Sequence, residues 1–222
     1  MPLKIFTSTH ADGSMKSVIG DEKSKVDQSR KDFLIQNNIQ PDNTTLVRVA
    51  YEGNNYCRYK TIDNTLKGDG ITKQSTMISD ALVVAKLNHA LFLPLADCIG
   101  AVLYEPKRNI LMVSHLGRHN LEQNGGFQSV EFLINQHNVN PKDIIVWLSP
   151  AVGKINYPLF TFNSHSLHEV ATEQLKNAGV LSKNISTSPI DTSTDKNYYS
   201  HSNFIKGIQS NDGRFAIVAI II

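Results

Sequence analysis

Two short motifs in the middle of the chain carry side chains that could do chemistry together. The first is Leu93-Pro94-Leu95-Ala96-Asp97-Cys98, and the second is Ser114-His115-Leu116-Gly117-Arg118-His119. Each follows an apolar, β-rich run, so we expect Cys98 and His115 at strand ends, where a sheet holds reactive side chains rigidly and leaves them open to a ligand. A thiol and an imidazole delivered in this way suggest a soft-metal site or a thiolate–imidazolium pair.

Both residues also have a purely structural interpretation. A free buried cysteine commonly acts as a small hydrophobic residue, and a single histidine at a strand end is more often structural than ligating. Proline and aspartate are poor residues for a central strand, so Pro94 and Asp97 indicate that the chain turns at Cys98. This turn weakens the structural interpretation of the cysteine.

The second motif places His119 four residues after His115, the spacing of a helical metal-binding pair. Gly117 lies between them and the segment leaves a strand, so we expect only His115 to point into the site. Arg118 or His119 is expected at its rim.

Two further segments could complete such a site. Leu148-Ser149-Pro150-Ala151-Val152-Gly153 leaves a predicted strand as a loop of small residues, which permits close approach of the backbone to a ligand. Arg214 precedes the last strand, and arginine suits phosphate or carboxylate through bidentate hydrogen bonds. An ordinary surface arginine is the alternative for Arg214.

Composition limits the class of protein. The chain has 222 residues, 41% hydrophobic and 19% charged, which fits one domain over residues 1–222 with a sizeable core. A net charge of +2 without runs of like charge gives no case for nucleic acid or an anionic membrane. We expect neither a membrane span nor a secretory signal, and therefore a cytoplasmic protein with free thiols at Cys57 and Cys98 and a small-molecule ligand.

Hydrophobic periodicity predicts strands interleaved with helices. The predicted strands are 3–7, 45–50, 56–61, 81–85, 90–95, 99–104, 110–114, 143–148 and 215–222, and the predicted helices are 23–37, about 120–137 and 164–178. We expect the second and third strands to be joined by a turn at Glu52-Gly53-Asn54-Asn55, Gly179 to end the last helix, and 63–79 to form a mobile loop. The last strand is almost wholly apolar and must be central and buried on both faces. The fold class is α/β (mixed α+β), with layered mixed β-sheets flanked by helices.

Several pieces of the chain occur in a recognisable order. They are Asp80-Ala81-Leu82-Val83, Pro94-Leu95-Ala96-Asp97-Cys98, His115-Leu116-Gly117, Leu148-Ser149-Pro150-Ala151-Val152-Gly153 with Tyr157, Gly179-Val180, Tyr199-Ser200 and Gly213-Arg214. Together they span residues 80–222 and resemble the laccase-domain family, also called the YfiH-like or polyphenol oxidase/purine nucleoside phosphorylase family.

The resemblance implies a YfiH-like fold of mixed sheets and a transition-metal site. The metal is usually zinc, with copper less favoured, and its ligands are one cysteine and two histidines. Cys98 falls on the cysteine and His115 on the second histidine. Glu52 aligns with the first histidine, and glutamate is an acceptable zinc ligand. The activity implied is phosphorolysis of purine nucleosides, with deamination as a side activity.

The chain departs from the family pattern at the residues expected to hold phosphate. The family usually reads His-Ala-Gly-Trp-Arg-Gly where this chain has His115-Leu116-Gly117-Arg118-His119-Asn120. His119 thus replaces an arginine, although Arg118 could substitute for it. His201 and Ser202 stand where a paired arginine is expected.

The leading hypothesis is therefore a metal-dependent enzyme resembling purine nucleoside phosphorylases. Its expected catalytic residues are Cys98, His115 and Asp97, its phosphate-binding residues Arg118, His119 and Arg214, and its metal ligands Cys98, His115 and Glu52.

Three alternatives stay open. The first is a divergent, non-catalytic or retuned binding protein whose nucleoside site has eroded. The second is a cysteine hydrolase with Cys98 as nucleophile and His115 as base. Copper-dependent phenol oxidation ranks last, because a laccase-type centre needs many histidines.

Overall fold

The computed structural model describes residues 2–16 and 23–222. The strands in these ranges are β1 (Leu3–Thr7), β2 (Thr44–Leu46), β3 (Tyr59–Thr61), β4 (Ala81–Val84), β5 (Ala90–Leu95), β6 (Ile99–Glu105), β7 (Ile110–Leu116), β8 (Ile145–Leu148), β9 (Ile185–Thr187) and β10 (Phe215–Ile221). The α-helices are α1 (Lys23–Gln36), α2 (Arg118–Glu122), α3 (Gly125–His137), α4 (Leu167–Asn177) and α5 (His201–Ile205).

The described strands form two mixed sheets. The four-stranded sheet has the order β1-β10-β5-β2, and the six-stranded sheet has the order β3-β4-β7-β6-β8-β9. The pairs β2–β5, β3–β4 and β8–β9 are parallel, and the other pairs are antiparallel. β10 lies between β1 and β5 and is buried along its whole length, which confirms its predicted central position.

Side chains that point alternately to the two faces of each strand explain how the two sheets stack. In β10, Phe215, Ile217 and Ala219 pack in one cluster with Val102 of β6 and Val113 of β7. These side chains therefore fill a layer between the sheets, since residues two apart on a strand share a face. These residues form the inter-sheet layer.

The outer face of each sheet packs against helices. Ala216 and Val218, on the opposite face of β10, share a cluster with Phe33 and Leu34 of α1. On the far side of the six-stranded sheet, a second cluster joins β6 and β7 to α2, α3 and α4; its members include Ala101, Leu103, Met112, Leu121, Leu133, Val170 and Leu175. The result is four layers, helix, sheet, sheet and helices, as the predicted class of layered mixed sheets requires.

The two strands predicted on either side of Glu52 are shorter than expected and do not pair. β2 ends at Leu46 and β3 begins at Tyr59, and the two strands belong to different sheets. The predicted bounds 45–50 and 56–61 are therefore wrong at the ends that face Glu52. The intervening chain crosses from one sheet to the other, and the Arg58 guanidinium holds it by donating to the Ala50 carbonyl.

The helix predicted over 120–137 is two helices. Asn124 lies between them with a left-handed φ of 62°, a conformation that asparagine tolerates and that interrupts α-helical geometry. The helix predicted over 164–178 begins only at Leu167, because Ser166 forms a capping box with Glu169. It ends before Gly179, whose φ of 98° confirms the predicted helix stop.

The stretch 63–79, predicted as a mobile loop, is tied to β2. The Leu46 amide donates to the Asp69 carbonyl at 2.9 Å, and the Gly68 amide donates to the Thr44 carbonyl at 3.0 Å. The buried Asp69 carboxylate accepts from the backbone N–H of Thr76 at 3.0 Å and from its hydroxyl at 2.5 Å. The short elements β9 and α5 were outside the sequence prediction.

None of the described helices combines the length and the apolar composition needed to span a membrane.

A buried ion pair holds the start of β4 beside β7. The Asp80 side chain is fully buried and accepts from Arg58 Nε at 2.6 Å and from the Arg58 backbone N–H at 3.0 Å. The Asp80 carbonyl accepts from the His115 amide at 2.8 Å. The pair therefore fixes the backbone of one of the expected site residues.

We predict that Arg58→Leu lowers the free energy of unfolding by about 3–5 kcal/mol, because it leaves the buried Asp80 carboxylate without its cation. Adding Asp80→Asn should recover part of the loss. Lys107→Ala, which removes the exposed pair with Asp143, should change the free energy of unfolding by less than about 1 kcal/mol. Urea unfolding measures all three, and equal effects of Arg58→Leu and Lys107→Ala would contradict the prediction.

Candidate active site

A cavity of about 410 Å³ lies where β5 and β7 end and β6 begins. It contains six of the seven predicted site residues, namely Asp97, Cys98, His115, Arg118, His119 and Arg214. Glu52 is exposed and is not part of the lining, although its neighbour Tyr51 is. Residues of the stretch 63–79 are likewise absent from the described lining.

Cys98 and His115 form the floor of this cavity. Cys98 occupies the turn between β5 and β6, and His115 lies near the end of β7, opposite Gly100 of β6. A β-carbon placed on Gly117 would lie 2.8 Å from Cys98 Sγ and 3.3 Å from His115 Nε2. The glycine therefore leaves open a small space that the thiol and the imidazole share.

The floor carries no net charge at neutral pH in the metal-free chain. Burial raises the pKa of Cys98 to about 12, with a further contribution from the Asp97 carboxylate. Burial lowers the pKa of His115 to about 4, partly offset by Asp80. His115 Nδ1 is buried without a hydrogen-bond partner among the described residues. A thiol beside a neutral imidazole argues against the thiolate–imidazolium pair that a cysteine hydrolase needs.

Asp97 turns the chain between the two sheets. Its φ of 75° is left-handed, which bends the backbone just before Cys98. Its buried carboxylate accepts from Thr192 Oγ1 at 2.8 Å and from the Ser202 amide at 2.6 Å, and its carbonyl accepts from the Val152 amide at 2.9 Å. Both carboxylate oxygens are thus engaged in positioning contacts.

Arg118 and His119 begin α2 at one side of the cavity mouth. Arg118 is exposed, and no carboxylate of the described chain forms an ion pair with it. The His119 ring stacks on Tyr56 with ring centroids 4.7 Å apart, and its Nδ1 lies 3.7 Å from Glu122 Oε2. Arg118 is therefore the more adaptable cation on this side.

Arg214 also lines the cavity and belongs to a small charge cluster. The carboxylate of Asp212 accepts from Arg214 Nη1 at 2.7 Å, from His201 Nδ1 at 2.8 Å and from Lys16 Nζ at 2.5 Å. Arg214 and His201 both line the cavity. Lys16 and Arg214 bring two positive charges against the one negative charge of Asp212 to this cluster.

Sequence reasoning missed Asp212 and Lys16 and treated His201 only as a departure from a family pattern. The one local signal was an acidic residue two positions before Arg214 and ahead of an apolar strand. Lys16 is 196 residues from Asp212, so their contact was not visible in sequence spacing.

Comparison with known proteins identifies the family of this chain. The family profile described as multi-copper polyphenol oxidoreductase laccase matches residues 7–165, well over half of the chain. The chain belongs to this family. No curated protein sequence matches it.

Solved structures show the same fold in this family at low sequence identity. The Bacillus licheniformis hypothetical protein YfiH superposes with a TM-score of 0.86 at 17% identity, covering 99% of this chain and 93% of that one. YlmD from Geobacillus stearothermophilus has a TM-score of 0.81 at 17% identity, covering 94% and 84%. A Neisseria meningitidis protein of the DUF152 family has a TM-score of 0.74 at 14% identity, covering 99% and 94%. These matches confirm the predicted YfiH-like fold.

The residues present only partly fit the metal that the family implies. The space beside Gly117 is bordered by one sulfur and one nitrogen donor, which suit zinc. A catalytic zinc site has three protein ligands, and Glu52 lies outside the cavity lining. Among residues 2–16 and 23–222, no three His, Cys, Asp or Glu side chains are grouped to hold a metal ion. The described donor set is therefore one ligand short of such a site.

The raised pKa of Cys98 predicts slow alkylation at neutral pH. In a Cys57→Ser background with a chelator present, the rate constant with iodoacetamide should rise about tenfold per pH unit between about pH 7 and 10, because only the thiolate reacts. A free cysteine peptide serves as the reference. A rate that is already constant across neutral pH would show an activated thiolate and would restore the cysteine-hydrolase hypothesis.

Proposed function

We propose that this protein cleaves the N-glycosidic bond of purine nucleosides, with inorganic phosphate as the nucleophile. The observation that carries the proposal is the single cavity that joins a polar, uncharged floor at Cys98 and His115 to cationic side chains at its mouth. The family resemblance of the motifs points to the same chemistry.

The size and lining of the cavity suit a nucleoside. Its volume of about 410 Å³ falls in the range of small-molecule sites, which combine apolar walls with a few polar groups. Val49, Leu95 and Val152 supply apolar surface, and Tyr51 and Tyr157 supply aromatic rings against which a planar base can stack.

The cations at the mouth suit the second substrate. Arg118 has no competing carboxylate in the described chain, and a guanidinium binds phosphate through two parallel hydrogen bonds. Arg214 uses Nη1 for Asp212 and neighbouring carbonyls, which leaves its other nitrogens for a ligand. His119 is a third candidate, and the three residues are those that the sequence predicted for phosphate.

The reaction places distinct demands on the two ends of the cavity. A phosphate oxygen forms a bond to the anomeric carbon while the bond from that carbon to the base breaks and leaves its electron pair on the base. The transition state has the character of a ribosyl cation, so anionic phosphate held beside it by arginines stabilises it. The departing base must also gain a proton.

We predict phosphate-dependent release of base from inosine or adenosine, detected as ribose 1-phosphate and free purine. Arg118→Ala should raise the KM for phosphate by about tenfold or more, with a smaller effect on the KM for nucleoside, because it removes a phosphate contact. Arg108→Ala is the matched control, since that guanidinium binds the carbonyls of His137 and Asn138. Base release without phosphate, or none at high enzyme concentration, would contradict the proposal.

One observation favours a second candidate, a binding protein that has lost catalysis. Glu52 does not join Cys98 and His115 in the cavity lining, so the described site lacks the third family ligand. This candidate predicts that nucleosides raise the melting temperature, as ligands of the folded state do, without any turnover.

Zinc is the metal that Cys98 and His115 would hold at the floor of the cavity, and Glu52, the third ligand that the family pattern implies, lies outside the described lining. When bound, zinc would supply a Lewis acid. Copper fits less well, because a thiolate with a single imidazole and a carboxylate resembles zinc sites more closely.

The role of Glu52 can be measured without any assay of activity. Competition with a chromophoric chelator should show that the wild type binds zinc. The zinc affinity of Glu52→Gln should be lower by a factor of about ten or more. Gly117→Ala should also weaken zinc binding, because its β-carbon enters the space between Cys98 and His115. Glu131→Gln on α3 is the control. An unchanged affinity in Glu52→Gln would remove this residue from the ligand set.

A further inference from the structure

The cluster around Asp212 fixes one imidazole at the mouth of the cavity. Although partial burial raises it, hydrogen bonds from Lys16, Arg214 and His201 hold the pKa of Asp212 well below its usual range. The Asp212 carboxylate is therefore ionised in the folded protein near neutral pH. It accepts from three donors, and His201 Nδ1 is one of them.

This contact determines which nitrogen of His201 is available. Nδ1 carries a proton because it donates to Asp212 at 2.8 Å. In the neutral imidazole, Nε2 is then the unprotonated nitrogen and can accept a proton from a ligand.

The backbone around His201 is held from two sides. His201 is the first residue of α5, and the Ser200 hydroxyl caps this helix by accepting from the Asn203 amide at 3.2 Å. The next residue, Ser202, donates its amide to Asp97. The His201 side chain lines the cavity and keeps 46% of its surface exposed, so a ligand can reach it.

The other histidines of the cavity lack this arrangement. His119 Nε2 lies 3.4 Å from the Arg118 guanidinium, which can only donate a hydrogen bond to it. His115 has no carboxylate against its Nδ1, which is buried without a described partner. His201 alone among these three has one nitrogen held at hydrogen-bond distance by a carboxylate.

We propose that His201 is the proton acceptor of this cavity and that Asp212 is its positioning residue. The inference rests on the proposed phosphorolysis and assigns a role that the family motifs do not cover. As phosphate attacks the anomeric carbon, its O–H proton passes to His201 Nε2. The bond between the anomeric carbon and the base breaks, and its electron pair stays on the base. The base then takes a proton from solvent. The His201 imidazolium later returns its proton to solvent. Asp212 stays ionised and stabilises the imidazolium, as the carboxylate of a catalytic triad does.

The first experiment tests the geometry without requiring activity. Long-range ¹H–¹⁵N NMR spectra of the full chain, with His201 assigned through His201→Gln, should show the Nδ1–H tautomer in slightly alkaline solution. Asp212→Asn should lose this preference, because the charged acceptor is gone. Inorganic phosphate should shift the Nε2 resonance. An Nε2–H tautomer in the wild type, or an Nε2 signal that does not respond to phosphate up to tens of millimolar, overturns the proposal.

The second experiment measures proton transfer during turnover of inosine with phosphate. His201→Gln should lower kcat by about 10²-fold or more while leaving the KM for nucleoside within about twofold, and should remove the acid limb of the pH profile. Asp212→Asn should move that limb to lower pH, because the imidazolium loses its carboxylate. Asp195→Asn is the control, since this carboxylate accepts from the Asn197 amide away from the cavity lining.

The two experiments separate the two proposals. A wild type without activity but with the expected tautomer and phosphate response would reject phosphorolysis and leave the His201–Asp212 pair standing. An active wild type whose kcat is unchanged by His201→Gln would reject the role of His201 and leave phosphorolysis standing.

Discussion

The structure of the site depends on the buried carboxylate of Asp97, at the point where the chain passes from one sheet to the other. One oxygen accepts from the Thr192 hydroxyl and the other from the Ser202 amide. The left-handed backbone at this residue costs free energy that only surrounding contacts can offset. Asp97 thereby joins the turn that carries Cys98 to the helix that carries His201, which are far apart in sequence.

The inter-sheet layer explains why the cavity lies where it does. Apolar side chains from both sheets fill this layer along most of its length, and Val113 of β7 is one of them. His115 is two residues further along the same face, and Leu95 ends the facing strand β5. The apolar packing thus gives way to polar groups where these strands end. Such an edge holds reactive side chains on rigid elements and leaves them accessible.

Charge is distributed unevenly within this cavity, and that distribution decides its chemistry. The floor is neutral because burial disfavours both the Cys98 thiolate and a protonated His115. The mouth is cationic, with Arg118 and the Asp212 cluster beside it. A ligand with an apolar, planar part and an anionic part fits this division better than a uniformly charged one.

The sequence by itself determined the layered α/β class, the central position of the last strand and the convergence of Cys98 and His115. Each of these follows from local information, namely strand periodicity and the turn residue Asp97. The break at Asn124 and the shortening of the two strands on either side of Glu52 were decided by tertiary structure, because strand pairing and helix ends respond to distant contacts. The same holds for the ion pair of Lys16 with Asp212 and for the place of Glu52 outside the cavity. Only the folded chain brings the distant segments together, and only there does Nδ1 of His201 meet the Asp212 carboxylate.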